Sequence, residues 1–170
     1  NEGNNFVAAL VTVQGAAQPD LVITTSLTVS PATVAPGGRV TLSAWTVRNQ
    51  GTAAAGFFSN GFYLSTDSVI TTSDTYLDGN SNSSLAAGAQ FTWGGPTLTI
   101  PAGTAAGTYY VGILVDRTSA VTESNEGNNF VAALVTVPPT AVPDLVVSQL
   151  SVSPSSPTPQ NALTFTVAVR

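Results

Sequence analysis

Over residues 163–169 large apolar side chains occupy every second position: Leu163, Phe165, Val167 and Val169, separated by Thr164, Thr166 and Ala168. Tyr109, Val111, Ile113 and Val115 repeat the pattern. A period of two places alternate side chains on one face of a pleated strand, and burial of that face selects it. Residues 20–29 predict a first strand that stops at Ser30-Pro31, and residues 39–48 a second after the turn Pro36-Gly37-Gly38. Within the second strand Val40 and Leu42 hold one phase while Trp45 and Val47 hold the other. One extra residue near Ser43-Ala44, a β-bulge, reconciles the phases and turns Trp45 into the core.

Residues 57–65 predict a third strand containing Asn60-Gly61, the dipeptide of tight hairpins. A hairpin there leaves two strands of about three residues, shorter than strands usually are. One strand with a kink or bulge at Gly61 is therefore expected. Residues 66–82 read as a long polar loop. Residues 90–93, 97–100, 108–116 and 130–137 complete the strands, with a loop over 116–129 before the last. No segment has the helical period. Short strands with Gly/Pro turns at intervals of about ten residues indicate an all-β antiparallel β-sandwich of seven to eight strands.

A repeat organises these elements. Asn1-Glu2-Gly3-Asn4-Asn5-Phe6 through Val13 recurs letter for letter at 125–137, an offset of 124 residues. Pro19-Asp20-Leu21-Val22 recurs as Pro143-Asp144-Leu145-Val146 at the same offset. A fixed period of domain length marks a tandem array. Residues 1–13 are then expected to be the last strand of a preceding repeat, 14–18 a linker, 19–137 a complete sandwich, 138–142 a Pro-rich linker, and 143–170 the first two strands of a following repeat. The repeat junction is expected at Asn125, Glu126, Asn128, Asn129, Pro138, Pro139 and Pro143.

Composition narrows the chemistry. Only 8% of residues are charged, the net charge is −5, and Arg39, Arg48, Arg117 and Arg170 are the only Lys or Arg. A nucleic-acid groove needs clustered cations, which this chain does not supply. No apolar run has the length that spans a bilayer. Without His or Cys there is no Ser–His pair, thiol nucleophile or Cys/His zinc site. Without Lys there is no Lys–Asn cross-link. Acidity, few charges and a Ser/Thr/Asn-rich surface point to the cell surface or the extracellular space.

Calcium, which takes oxygen ligands, is the ion this supply permits. Asp67, Asp74 and Asp78 form one candidate set; Asp116, Glu123, Glu126 and Asn128 form another. The competing reading makes them turn residues whose side chains bond their own backbone. Asp67 and Asp74 could also pose as a glycosidase pair. Trp93, Phe57, Phe58 and Tyr76 could form a sugar platform, although aromatic residues on strands usually serve the core. Asn82-Ser83-Ser84 fits a glycosylation acceptor at Asn82.

Several segments together resemble the CARDB domain, the cell-adhesion-related domain found in bacteria. They are Pro19-Asp20-Leu21-Val22, Val47-Arg48-Asn49-Gln50-Gly51-Thr52, Phe62-Tyr63-Leu64-Ser65-Thr66-Asp67, Ile100-Pro101-Ala102, Gly107-Thr108-Tyr109-Tyr110, Val115-Asp116 and Glu123 through Asn129. The resemblance implies an immunoglobulin-like sandwich in a large, repetitive surface or secreted protein, and no enzymatic activity. The expected function is that of a structural repeat in an extracellular filament or stalk, partnered by adjacent repeats or copies of itself. The alternative is an adhesin or carbohydrate-binding module that recognises a glycan.

Overall fold

The computed structural model describes residues 7–170. It divides into two units, the first ending at Pro139 and the second spanning residues 140–170. Residues 7–13 carry no strand and lie open to water. The remainder of the expected strand, residues 1–6, lies outside the described residues. A strand forms where a neighbour takes up its backbone N–H and C=O groups, and residues 7–13 pair with none.

The first unit holds β1 (Leu21–Ile23), β2 (Val29–Ser30), β3 (Arg39–Leu42), β4 (Trp45–Asn49), β5 (Phe58–Ser65), β6 (Thr75–Asn82), β7 (Gln90–Trp93), β8 (Thr97–Thr99), β9 (Gly107–Leu114) and β10 (Phe130–Val137). One sheet has the order β10-β9-β5-β6. Facing it are two three-stranded sheets, β1-β4-β7 and β2-β3-β8. Each of three sequence runs, β1/β2, β3/β4 and β7/β8, is broken once, and the halves pair only with corresponding halves. Rejoined across the breaks, the ten segments become seven strands in two layers.

The bulge expected at Ser43-Ala44 is thus part of a wider feature: all three runs break side by side. Backbone bonds stitch the break. The Ser43 N–H donates to the Thr28 carbonyl at 2.9 Å, and the Leu42 N–H to the Pro96 carbonyl at 3.0 Å. Gly95 makes the close approach possible, because a Cβ there would lie 1.8 Å from the Leu42 carbonyl oxygen. Beyond the break Trp45 is fully buried, stacked on Trp93 and edge-on to Phe62.

The core lies between the layers. Leu21, Val40, Leu42, Trp45, Val47 and Leu98 meet Phe58, Phe62, Leu64, Val111, Ile113 and Val135 in one apolar cluster. Val111, Ile113 and Val115 all face inwards, as their alternation requires.

β6 corrects the sequence reading. Its residues, Thr-Tyr-Leu-Asp-Gly-Asn-Ser-Asn, have poor strand propensity, yet they pair along β5 from Phe58↔Asn82 to Leu64↔Thr75. The pairing with a well-formed neighbour overrides local preference. β5 is one strand through Asn60-Gly61, with its register shift between Phe62 and Tyr63. Gly61 and Gly79 pair across β5 and β6. The Tyr63 and Tyr76 rings occupy the space that a Cβ would need at each, and they pack edge to face at 5.5 Å.

On this outer face Ile70, from the loop before β6, is 2% exposed. It fills the space over Gly112, where a Cβ would lie 2.3 Å from its Cγ1.

The second unit is a hairpin of β11 (Val147–Ser153) and β12 (Thr164–Val169). Its register repeats that of the first unit. Val147↔Val169 corresponds to Ile23↔Val47, and Val152↔Phe165 to Val29↔Leu42. Every residue of both strands is exposed.

Candidate functional site

The densest polar structure lies where the chain enters the sandwich. Pro19 is buried and Asp20 half-buried, immediately before β1. Two loops grip this segment. From the loop after β4, the Thr52 N–H donates to the Gln18 carbonyl at 2.8 Å and the Gln50 N–H to the Asp20 carbonyl at 2.7 Å. Gly51 permits this approach, since a Cβ there would lie 2.4 Å from the Gln18 carbonyl oxygen. Asn49, wholly buried, accepts the Asp20 and Gly51 N–H groups on Oδ1, each at 3.1 Å. Its Nδ2 donates to the Ala53 and Leu85 carbonyls at 2.8 and 3.0 Å. All four hydrogen-bonding positions of the amide are used.

From the loop before β10, the Ser124 N–H donates to the Pro19 carbonyl at 2.9 Å. Asn128 Nδ2 donates to Asp20 Oδ1 at 2.9 Å. Glu123 Oε2 accepts the Leu21 N–H, and Oε1 accepts from Asn129 Nδ2 at 2.8 Å. Burial raises the Glu123 carboxyl to about 7, and the nearby charges of Glu126 and Asp116 push the same way against its two hydrogen bonds. Glu126 Oε1 accepts the Glu123 N–H at 2.9 Å, and Asn125 Oδ1 the Gly127 N–H at 3.0 Å.

The repeat-junction residues are therefore divided. Asn125, Glu126, Asn128 and Asn129 belong to a loop that holds the first strand of its own sandwich. Pro138 and Pro139 follow β10 at its far end, and Pro143 belongs to the second unit. The duplicated Asn-Glu-Gly-Asn-Asn lead-in acts inside one domain. Asp20, Asn49 and Gly51 are missing from the sequence-based site, although repetition of Pro-Asp-Leu-Val carried a signal for Asp20.

The acids do not gather into a cation cage. Asp67 Oδ1 accepts the Val69 N–H at 2.8 Å. Asp74 Oδ2 accepts the Thr71 N–H and hydroxyl at 2.7 and 3.1 Å. Asp78 Oδ1 accepts the Gly79 N–H at 2.8 Å from an exposed position on β6. Asp116, buried with φ of 47°, accepts the Ala120 and Val121 N–H groups at 3.0 and 2.8 Å. Among the described residues no group of three or more Asp or Glu is arranged to hold a metal ion. Asp116, Glu126 and Asn129 do border one cleft, but Arg117 lines it as well, so the donor set does not fit a calcium ion.

Asn82, the expected glycan acceptor, lies at the end of β6. It is 7% exposed, and its Oδ1 takes hydrogen bonds from Asn60 Nδ2 and Trp93 Nε1. The aromatic platform is not assembled either. Phe58 is buried in the core and Trp93 is half-buried. Tyr76 stays on the outer face of the four-stranded sheet, with the Arg117 guanidinium 4.9 Å from its ring centre.

Comparison with known proteins gives the same architecture. The CARDB family model matches residues 18–133. The crystal structure of a Pyrococcus furiosus CARDB domain in complex with di-metal ions aligns with a TM-score of 0.50 at 21% identity, covering 75% of this chain and 100% of that one. A solution structure of the Pyrococcus domain aligns at 0.51 and 20% identity, covering 72% and 98%. A domain of a putative cell surface protein from Methanosarcina acetivorans is 28% identical with a TM-score of 0.47, covering 71% of this chain and 92% of its own. No curated protein matches the sequence. Among the described residues no helix is long and apolar enough to cross a membrane.

Proposed function

The chain belongs to the CARDB family, and from that premise we propose that residues 19–137 are a non-catalytic structural repeat of an extracellular filament or cell-surface stalk. One observation carries the reading: the chain enters and leaves this sandwich at opposite ends. Asn128 and Glu123, just before β10, hold Asp20 and Leu21 at the start of β1. At the far end of β10, Thr136 bridges Thr33 in parallel, through the bonds Thr136 N–H to the Ala32 carbonyl and Val34 N–H to the Thr136 carbonyl. β10 has eight residues, so the two ends are separated by about 24 Å at strand rise. A repeat threaded this way extends an array instead of folding it back. Linkers at 14–18 and 138–142, with equivalent Pro-Asp-Leu-Val starts, fit the same arrangement.

Metal is not required. The di-metal ions belong to the Pyrococcus domain, whereas here the acids hold backbone N–H groups. Glycan recognition is the less favoured function, because the exposed aromatics of the first unit, Phe57, Tyr76 and Phe91, share no strand.

Small-angle scattering from tandem chains of one, two and three copies of residues 19–142 tests the proposal. The maximum dimension is expected to grow by a constant increment per repeat. A three-repeat chain no longer than a one-repeat chain would overturn it.

A further inference from the structure

The four-stranded sheet of the complete sandwich has two edges, β6 and β10, and they are built differently. β6 carries the charge of Asp78, whose carboxylate takes the Gly79 N–H at 2.8 Å, and its pairing with β5 shifts register once. Charges and irregular pairing are what keep an edge strand from joining another chain. β10 has neither. Its eight residues, Phe-Val-Ala-Ala-Leu-Val-Thr-Val, include no charge and no proline, and they pair with β9 in unbroken register.

That register determines which backbone groups of β10 face outwards. The Val115 N–H donates to the Asn129 carbonyl at 2.8 Å. The odd-numbered residues of β10 therefore exchange their bonds with β9, and the even-numbered ones turn theirs to the open side. Thr136 shows the same parity, since its N–H and C=O go to Ala32 and Val34. The parallel bridge between Thr33 and Thr136 goes no further. Among the described residues no hydrogen bond reaches the N–H or C=O of Phe130, Ala132 or Leu134 on that side. Their side chains lie on the outer face of the sheet, where Leu134 is 52% exposed. Val131, Ala133, Val135 and Val137 turn to the core. The open edge thus runs from Phe130 to Leu134 and is wholly apolar.

The geometry points to an isologous contact between two copies of this sandwich, in which β10 pairs antiparallel with β10 of its partner about a two-fold axis at Ala132. Phe130 then stands opposite the partner's Leu134, Ala132 opposite the partner's Ala132, and Leu134 opposite the partner's Phe130. Each opposed pair exchanges both of its N–H···O=C bonds. The aromatic–aliphatic pair forms twice on the outer face, and the two four-stranded sheets become one. Only this register uses every free residue of both strands. A shift of two residues sets Leu134 against the partner's Asn128, or Phe130 against the partner's Thr136, and those positions are already bound to Asp20 and to Ala32 and Val34. A foreign peptide finds no charge on β10 to fix its register, whereas a second β10 fixes its own. The contact closes on itself and sets the two sandwiches in opposite directions. Residues 6–13 repeat 130–137 letter for letter, so the same edge sequence returns with the repeat, and weak contacts along two arrays add. Only this summation rests on the end-to-end reading; the pairing itself does not.

The full 170-residue chain serves for the test. Sedimentation velocity is expected to show a monomer–dimer equilibrium. Amide hydrogen exchange should slow at Phe130, Ala132 and Leu134 as concentration rises, while Val131 and Ala133, bonded to β9, exchange slowly throughout. Phe130→Glu and Leu134→Lys should each lose the dimer, because each sets a charge against an apolar side chain twice. An equimolar mixture of the two should regain it, since the heterodimer holds one carboxylate opposite one ammonium and one unaltered pair of Phe130 with Leu134. A chain that stays monomeric at every concentration, a dimer in which the three amides exchange as fast as in the monomer, or a mixture of the two folded variants no better associated than either alone would overturn the pairing. The exchange pattern needs no substitution, so it decides even where Phe130→Glu unfolds. None of these results alters the outcome of the tandem-chain scattering test.

Discussion

The Glu123 carboxylate accepts the backbone N–H of Leu21, 102 residues earlier in the chain. The bond ties the first strand of the sandwich to the loop that leads into its last. The carboxyl is buried, and its pKa is raised from 4.5 to about 7. Between these values the folded chain binds more protons than the unfolded one, so stability falls as pH rises. It is present in full below about 4.5 and lost by the time pH passes 7. A rise from 4.5 to about 7 corresponds to at most about 3.4 kcal/mol, and solvent screening of the carboxyl reduces it. Thermal melts from pH 5 to 8 should show this decline, and Glu123→Gln should flatten it. The variant is tolerated because Asn129 Oδ1, buried without a partner, can take the new amide N–H after a flip. An equally steep decline in the variant would assign the dependence elsewhere.

Gly95 and Gly94 are neighbours with opposite requirements. A Cβ at Gly95 would lie 1.8 Å from the Leu42 carbonyl oxygen, whereas one at Gly94 meets nothing within 4 Å. Gly95→Ala should cost about 3 kcal/mol by forcing the broken strands apart, and Gly94→Ala less than about 0.5 kcal/mol. Urea denaturation of the pair measures both.

Ile70 anchors the loop before β6 on Gly112, while its neighbour Val69 is 52% exposed. Ile70→Ala should destabilise by about 2–4 kcal/mol and open the loop to proteolysis. Val69→Ala should do neither. Limited proteolysis followed by mass mapping reports the cleavage site.

Asn49 makes four hydrogen bonds from a fully buried position. Asn49→Ala strands the Asp20 and Gly51 N–H groups and the Ala53 carbonyl, while the Leu85 carbonyl keeps the Ala55 N–H, at a cost of about 3 kcal/mol. Asn49→Asp keeps the acceptors for Asp20 and Gly51 but turns a carboxylate on the Ala53 and Leu85 carbonyls, and should be at least as damaging. Calorimetric melting separates both from the parent.

Calcium and chelator should give the same melting temperature. A cation bound at 100 times its Kd would add about 2.7 kcal/mol, which calorimetry resolves. The acids that could hold one already serve Val69, Thr71, Gly79, Ala120 and Val121. A clear rise with calcium, lost on chelation, would restore the metal reading.

Local pattern was enough for much of the fold. Alternation at Tyr109–Val115 located β9, because a strand buried on one face must alternate, and the apolar, β-branched run Phe130–Val137 located β10. The conflict of phase between Leu42 and Trp45 marked the break and sent Trp45 inwards, since only one phase can face a single core. Identity of residues 1–13 with 125–137 fixed an offset of 124 residues in the sequence itself.

Tertiary structure decided the rest. β6 became a strand because β5 offered it a ladder, a relationship absent from its own residues. Breaks in three separated runs lined up only once those runs were neighbours. Asn82 was withdrawn from solvent by Trp93 and Asn60, and the loop acids were distributed among backbone N–H groups that composition does not reveal. The grip of Asn128 and Glu123 on Asp20 and Leu21 spans more than a hundred residues. Sequence periodicity records which side of a strand is dry; which distant polar group satisfies which depends on how the strands are brought together.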